Sequence, residues 1–338
     1  MQRFTKHGGS EGARTPKLHC FLSEHSDWSG CMDCPMTAEN VVYKEVSFSN
    51  SMQGIDLAGM LFLPRGEGPF PAVVVIHGSG TSSRSNAWYL TFTSYLQDHG
   101  ITVLLPDKRG SAGSSGGDWR TASFEDLATD TLSAISYLKT RHAHMISDIG
   151  ILGVSQGGCI APLVATRSDD ISFIVNLVGS AVPLYQALLY EESHNLRQMG
   201  FPPSLARRVA HVSSWYLRTI AHRGFWKAVG NFDPIPFWRE VNVPALVLYG
   251  ELDTNVPSRA SAERLAALGN PDIRVTIFAG SGHALQDPGR PGAGRIRLDA
   301  LELIRDFIAG ATTSPRGTPR AGQPGSAPGP AGPGRAGR

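Results

Sequence analysis

Gly153-Val154-Ser155-Gln156-Gly157 lies between an apolar run ending at Ile151-Leu152 and a small, apolar stretch, Gly158-Cys159-Ile160-Ala161. A serine at a strand-to-helix turn, flanked two residues away by glycines, can be held at strained φ/ψ with its hydroxyl clear of the backbone. The chemistry open to it is nucleophilic attack on a carbonyl carbon. The same turn would aim the Gln156 N–H, at the start of a helix, toward the oxygen that becomes negative. Glycine and serine are common in ordinary loops, so a surface turn is the competing reading and the surrounding chain decides.

A serine nucleophile needs a base, and the base needs an acid to orient it. Upstream, Pro71-Ala72-Val73-Val74-Val75-Ile76 is the continuous apolar run of a strand buried on both faces, ending in His77-Gly78-Ser79-Gly80. The glycine-bearing loop lets the Ser79 N–H turn inward as a second oxyanion donor. Downstream, Ala245-Leu246-Val247-Leu248-Tyr249-Gly250 reads as another buried strand with Asp253 just beyond it. Ile273–Phe278 then leads to His283 on a glycine-rich loop. Glu251 and Asp287 compete with Asp253 for the acid role, but Glu251 follows the strand too closely to reach the histidine. His77 is an alternative base.

With these fragments, Asp107-Lys108-Arg109-Gly110 and Asp233-Pro234, residues 41–310 resemble the α/β-hydrolase superfamily. Within it they are similar to dienelactone-hydrolase-like esterases and to prolyl-oligopeptidase-type catalytic domains. The resemblance implies a mostly parallel eight-stranded sheet flanked by helices, with a helical lid after the sixth strand. It also implies a triad of Ser155, Asp253 and His283, oxyanion donors at Ser79 and Gln156, no metal and no cofactor. In the family, position 77 shapes the oxyanion loop and the 107–110 fragment braces it. Val154 stands where many relatives carry histidine. Ser155 in place of the cysteine of dienelactone hydrolases proper points to ordinary carboxylic esters, short to medium acyl or aryl. Peptide or amide hydrolysis and thioester hydrolysis are the alternatives, and a catalytically silent binding module is a third. No propeller-length domain precedes the core, and no obvious acidic pair offers to hold a peptide amino terminus.

The net charge of +2 is misleading, because Arg316, Arg320, Arg335 and Arg338 lie in a tail without acids and leave the rest at −2. Nucleic-acid binding is not indicated. No apolar run of about 18 residues and no secretory leader are legible, so the expectation is a cytoplasmic protein acting on a small-molecule ester, with no membrane partner and a homodimer left open. Cys31-Met32-Asp33-Cys34 with His19, Cys20 and His25 has the residue types of a zinc site, but a lone CxxC lacks its second half, and no metal is expected. Cys159 reads as a small buried apolar residue.

The chain divides into a leader (1–35), a core (36–180 and 241–310), a lid (181–240) and a Pro/Gly/Arg tail (311–338) expected to be disordered. Val41–Phe48 and Ile55–Leu63 alternate as an antiparallel edge pair. Ser123 with Asp126 resembles a capping box opening a helix, and the closing helix is expected to stop at Gly310. In the lid, about sixty residues separate two core strands, too many for a crossover helix alone. It is rich in aromatics, most of them packing residues. Trp215 and Trp238, with Trp119 from the core, are the candidates to line an acyl pocket.

Overall fold

A strand apolar on every residue needs cover on both faces, and the pleat sends alternate side chains to the two covers. The computed structural model, which describes residues 42–79, 84, 86–288 and 296–313, supplies both. Its strands are β1 (Lys44–Asn50), β2 (Ile55–Phe62), β3 (Phe70–Ile76), β4 (Thr102–Pro106), β5 (Ile146–Val154), β6 (Ile171–Leu177), β7 (Ala245–Gly250) and β8 (Ile273–Phe278). They form one sheet in the order β1-β2-β4-β3-β5-β6-β7-β8. The β1–β2 and β2–β4 pairs are antiparallel and the remainder parallel. The expected mostly parallel eight-stranded α/β sheet is therefore present.

On β3, Ala72, Val74 and Ile76 join the side covered by α2 (Phe124–Arg141), α3 (Gln156–Ala165) and α8 (Ser258–Ala266). Val73 and Val75 join the side covered by α1 (Ala87–Asp98) and α9 (Leu298–Thr313). Asn86 caps α1, its side chain accepting from the Trp88 N–H at 2.9 Å. Ser123 and Asp126 form a reciprocal capping box on α2. The closing helix does not stop at Gly310 but runs through it to Thr313. A single glycine costs a helix only about 1 kcal/mol relative to alanine, and Ala311 and Thr312 continue it. Residues 314–338, residues 1–41 and with them the Cys31/Cys34 segment lie outside the described residues.

Between β6 and β7 run α4 (Leu184–Gln198), α5 (Pro203–Tyr216), a π turn (Leu217–Ala221), α6 (Arg223–Val229) and α7 (Ile235–Glu240). The insertion is sewn to the carboxyl edge of the sheet. The Leu184 N–H bonds Phe232 O and closes the insertion on itself, while Phe232 packs edge-on to Phe124 at the start of α2 and Arg264 on α8 pairs with Asp233 at 2.8 Å.

Candidate active site

The chain leaves β5 through Ser155 at φ 50° and ψ −111°, a left-handed conformation that a serine adopts only when its surroundings impose it. Its N–H donates to Leu177 O at the end of β6 (2.8 Å), and its carbonyl accepts from the Cys159 N–H in the first turn of α3 (3.2 Å). Such a sharp turn brings β5, α3 and β3 into near contact. A Cβ on Gly153 would lie 2.4 Å from Gly157 O, and one on Gly157 would lie 2.0 Å from Ile76 O. Both flanking positions therefore require glycine.

Three residues past β7, the Asp253 carboxylate is buried, and Oδ1 accepts from the Asn255 and Val256 N–H groups at 2.8 and 2.9 Å. Oδ2 lies 2.8 Å from His283 Nδ1, and His283 Nε2 lies 3.0 Å from Ser155 Oγ. A carboxylate can only accept, so Nδ1 carries the proton and Nε2 is left to accept from the serine hydroxyl. The two competing acids are elsewhere. Glu251 pairs with Arg259 at 3.2 Å and accepts from the Gly280 N–H, and Asp287 is exposed.

Gln156 is the first residue of α3, so its N–H has no intrahelical acceptor. The direction of the Ser79 N–H is set indirectly. It shares a planar peptide unit with the Gly78 carbonyl and points the opposite way. That carbonyl accepts from Lys108 Nζ at 2.5 Å, while the Gly78 N–H donates to Tyr89 Oη at 2.9 Å. Lys108 Nζ also donates to Gln156 Oε1 at 2.8 Å, so one buried amine ties together the two segments that carry the candidate oxyanion donors. Burial, and then Arg120, hold the Lys108 amine well below the ordinary lysine value. It lies 3.7 Å from the centroid of the Trp119 ring, whose face favours the charged form. Either form has the two N–H donors these bonds need. Lys108 was visible in the sequence only as part of the 107–110 fragment, because its partners are set by the fold. Its neighbour Arg109 is spent on Asp130 (2.8 Å) and Gln53 (2.6 Å).

His77 does not reach Ser155 as a base. Its Nε2 donates to Pro106 O at 2.7 Å, its ring packs on Tyr89, and burial followed by Lys108 lowers its pKa to about 3. Of the three pocket tryptophans, Trp119 is buried beneath Lys108. Trp238 is fully buried among core side chains, and Trp215 turns its ring to solvent at 57% exposure. A wholly covered ring cannot line an open pocket, which corrects the expectation for Trp119 and Trp238.

An acidic pair that the sequence does not single out is Glu191-Glu192. Both are buried on α4. Glu191 Oε1 accepts from Asn255 Nδ2 at 3.3 Å, and Tyr190 Oη donates to Asp253 O at 2.7 Å, so α4 braces the loop that carries Asp253. Burial first, then Glu192 and Asp253, push the Glu191 carboxyl well above its ordinary value of 4.5. The folded state holds this proton where the unfolded chain has lost it, so stability falls as pH rises above about 4.5 toward the folded-state value. Glutamine keeps the acceptor for Asn255 and removes the titration. Glu191→Gln should therefore melt above the parent at pH 8, with the difference shrinking at pH 5. Thermal melts at the two pH values check this, and a constant or inverted difference rejects it.

A family model described as serine aminopeptidase, S33, matches residues 67–222. Esterase EstD of Thermotoga maritima is 25% identical over 244 residues, covering 68% of this chain and 58% of EstD. The peroxisomal succinyl-coenzyme A thioesterase of Mus musculus is 26% identical over 253 residues, covering 68% of this chain and 52% of that enzyme. The chain thus spans little more than half the length of these two curated relatives. Among solved structures, an esterase of Pyrococcus furiosus superposes with a TM-score of 0.59 at 18% identity, over 81% of this chain and 94% of that one, which is a likeness of fold.

Proposed function

From a chain that belongs to the α/β-hydrolase superfamily, we infer a serine hydrolase that cleaves carboxylic esters through an acyl-enzyme on Ser155. The observation that carries this reading is the bridge made by His283, bonded to Asp253 through one ring nitrogen and to Ser155 through the other. His283 takes the serine proton as Oγ attacks the ester carbonyl, and Asp253 holds the tautomer and offsets the imidazolium charge. The Gln156 and Ser79 N–H groups receive the oxyanion. The protonated imidazole then gives its proton to the departing alcohol, and water, activated by the same base, releases the acid. The 181–240 insertion acts as a lid, with α4 bearing on the Asp253 loop.

Esters are favoured over peptides with a free amino terminus because such substrates need an accessible anion beside the serine. The Asp253, Glu191 and Glu192 side chains are all buried and each accepts a hydrogen bond within the protein. The test is turnover of p-nitrophenyl acetate, butyrate and octanoate beside alanine p-nitroanilide, together with labelling by a fluorophosphonate. We expect stoichiometric labelling and a kcat/KM for esters far above that for the anilide. Anilide turnover equal to that of the esters would move the reading to a peptidase. Absence of labelling would leave a binding module.

A further inference from the structure

An amphipathic helix on a protein surface ordinarily turns its large apolar side chains inward. On α5 the arrangement is reversed. Small side chains, Ala206, Ala210 and Ser214, face the protein together with Leu217 of the π turn. Leu205, Val212, Tyr216 and Ile220 recur at helical spacing on the outer side, with partly covered Val209 in the same row and Trp215 beside it. Val212 is 66% exposed and Ile220 57%. This is a second apolar stripe with nothing of the described chain upon it.

Along the stretch of chain that carries the stripe the charges have one sign. Between residues 193 and 232 there is no aspartate or glutamate. Arg197, Arg207, Arg208, Arg223 and Lys227 are exposed over the same stretch, and none forms an ion pair among the described residues. The only carboxylates on α4, Glu191 and Glu192, are buried, so they do not neutralise this surface. A second copy docked by two-fold symmetry would bring identical cations together with no carboxylate to answer them. An apolar stripe with Trp and Tyr, rimmed by arginine, is instead complementary to an anionic lipid surface, where the side chains enter the headgroup region and the cations meet phosphates.

We propose that the outer face of α5 and the π turn docks this protein on an anionic lipid bilayer. No helix of the described residues is long and apolar enough to cross a membrane. Lying on a bilayer is a different physical state from spanning it, and the proposal departs here from the sequence expectation of no membrane partner. The insertion that carries this face follows β6, and its α4 bears on the loop of Asp253.

The test is co-sedimentation of the full chain with vesicles of phosphatidylcholine alone and of equimolar phosphatidylcholine and phosphatidylglycerol. Binding is expected to the second and not the first, and to be lost in molar salt. Each surface arginine contributes about fivefold, so Arg207→Gln/Arg208→Gln should bind roughly 30-fold more weakly. Val212→Asp/Ile220→Asp should abolish sedimentation while leaving circular dichroism and turnover of soluble p-nitrophenyl acetate unchanged, so the result stands apart from the esterase reading. Sedimentation with neither vesicle, or equally with both, overturns the proposal. So does a concentration-dependent dimer of the parent that the Val212→Asp/Ile220→Asp variant loses without any vesicle binding.

Discussion

Ser155→Ala is expected to lower kcat by about 10⁵- to 10⁶-fold, the scale on which removal of a triad nucleophile acts, equivalent to about 7–8 kcal/mol of transition-state stabilisation. Without Oγ no acyl-enzyme can form, and what survives is direct hydrolysis assisted by substrate binding and the oxyanion donors, about 10³- to 10⁴-fold above water. The fold should be unaffected. Alanine bears the same cost as serine at φ 50°, and the bonds that hold the turn run through the backbone, from the Ser155 N–H to Leu177 O and from the Cys159 N–H to Ser155 O. The hydroxyl's bond is to His283, which keeps Asp253 as its partner. Circular dichroism and melting temperature should match the parent, and fluorophosphonate labelling should vanish. A variant turning over esters within tenfold of the parent would mean that another group is the nucleophile.

The parts of the site carried by strand ends were readable in the sequence because their context is local. A buried parallel strand announces itself as an unbroken apolar run, as in residues 71–76 and 245–249. The residues that follow such a run necessarily gather at one edge of the sheet, as Ser155, Asp253 and His283 do. What was not readable depends on which side of a helix meets the protein. Periodicity finds the apolar row on α5, but it does not reveal that the neighbouring row of Ala206 and Ala210 is the one that packs on α4. Small residues allow the two helices to approach closely, and the large apolar row is left outside. The same blindness made Trp215 and Trp238 look alike, although one is in solvent and the other in the core. Glu191 escaped notice for a related reason. Adjacent glutamates read as a solvated face, and only the tertiary fold seats one of them against Asn255 beside the Asp253 loop.

The largest loss of stability is expected from a substitution that adds a single methyl group, Gly157→Ala. The added Cβ would lie 2.0 Å from Ile76 O, 2.6 Å from Ile76 C and 2.9 Å from Ile76 Cβ. The first two are backbone atoms at the end of β3, whose register with β5 pairs Ile76 with Gly153. No side-chain rotation relieves such a contact. Either α3 must lift from the sheet or β3 must move within a core packed to near crystal density. A cost of about 4 kcal/mol or more is expected, at the extreme of single substitutions, which for a chain of this size lowers the melting temperature by roughly 10 °C or more. Lifting α3 would also carry the Gln156 N–H and the Ser155 backbone away from His283, so the folded fraction should lose kcat as well as stability. Gly310→Ala is the matched control. Its added Cβ meets nothing within 4 Å, so in α9 the same methyl should be neutral or stabilise by up to about 1 kcal/mol. Thermal melts and ester turnover of the two variants side by side decide the matter. A Gly157→Ala protein that melts within two degrees of the parent and retains its turnover would show that the turn behind Ser155 has room for a side chain, and the close approach of β3, β5 and α3 would no longer explain why Ser155 is held where it is.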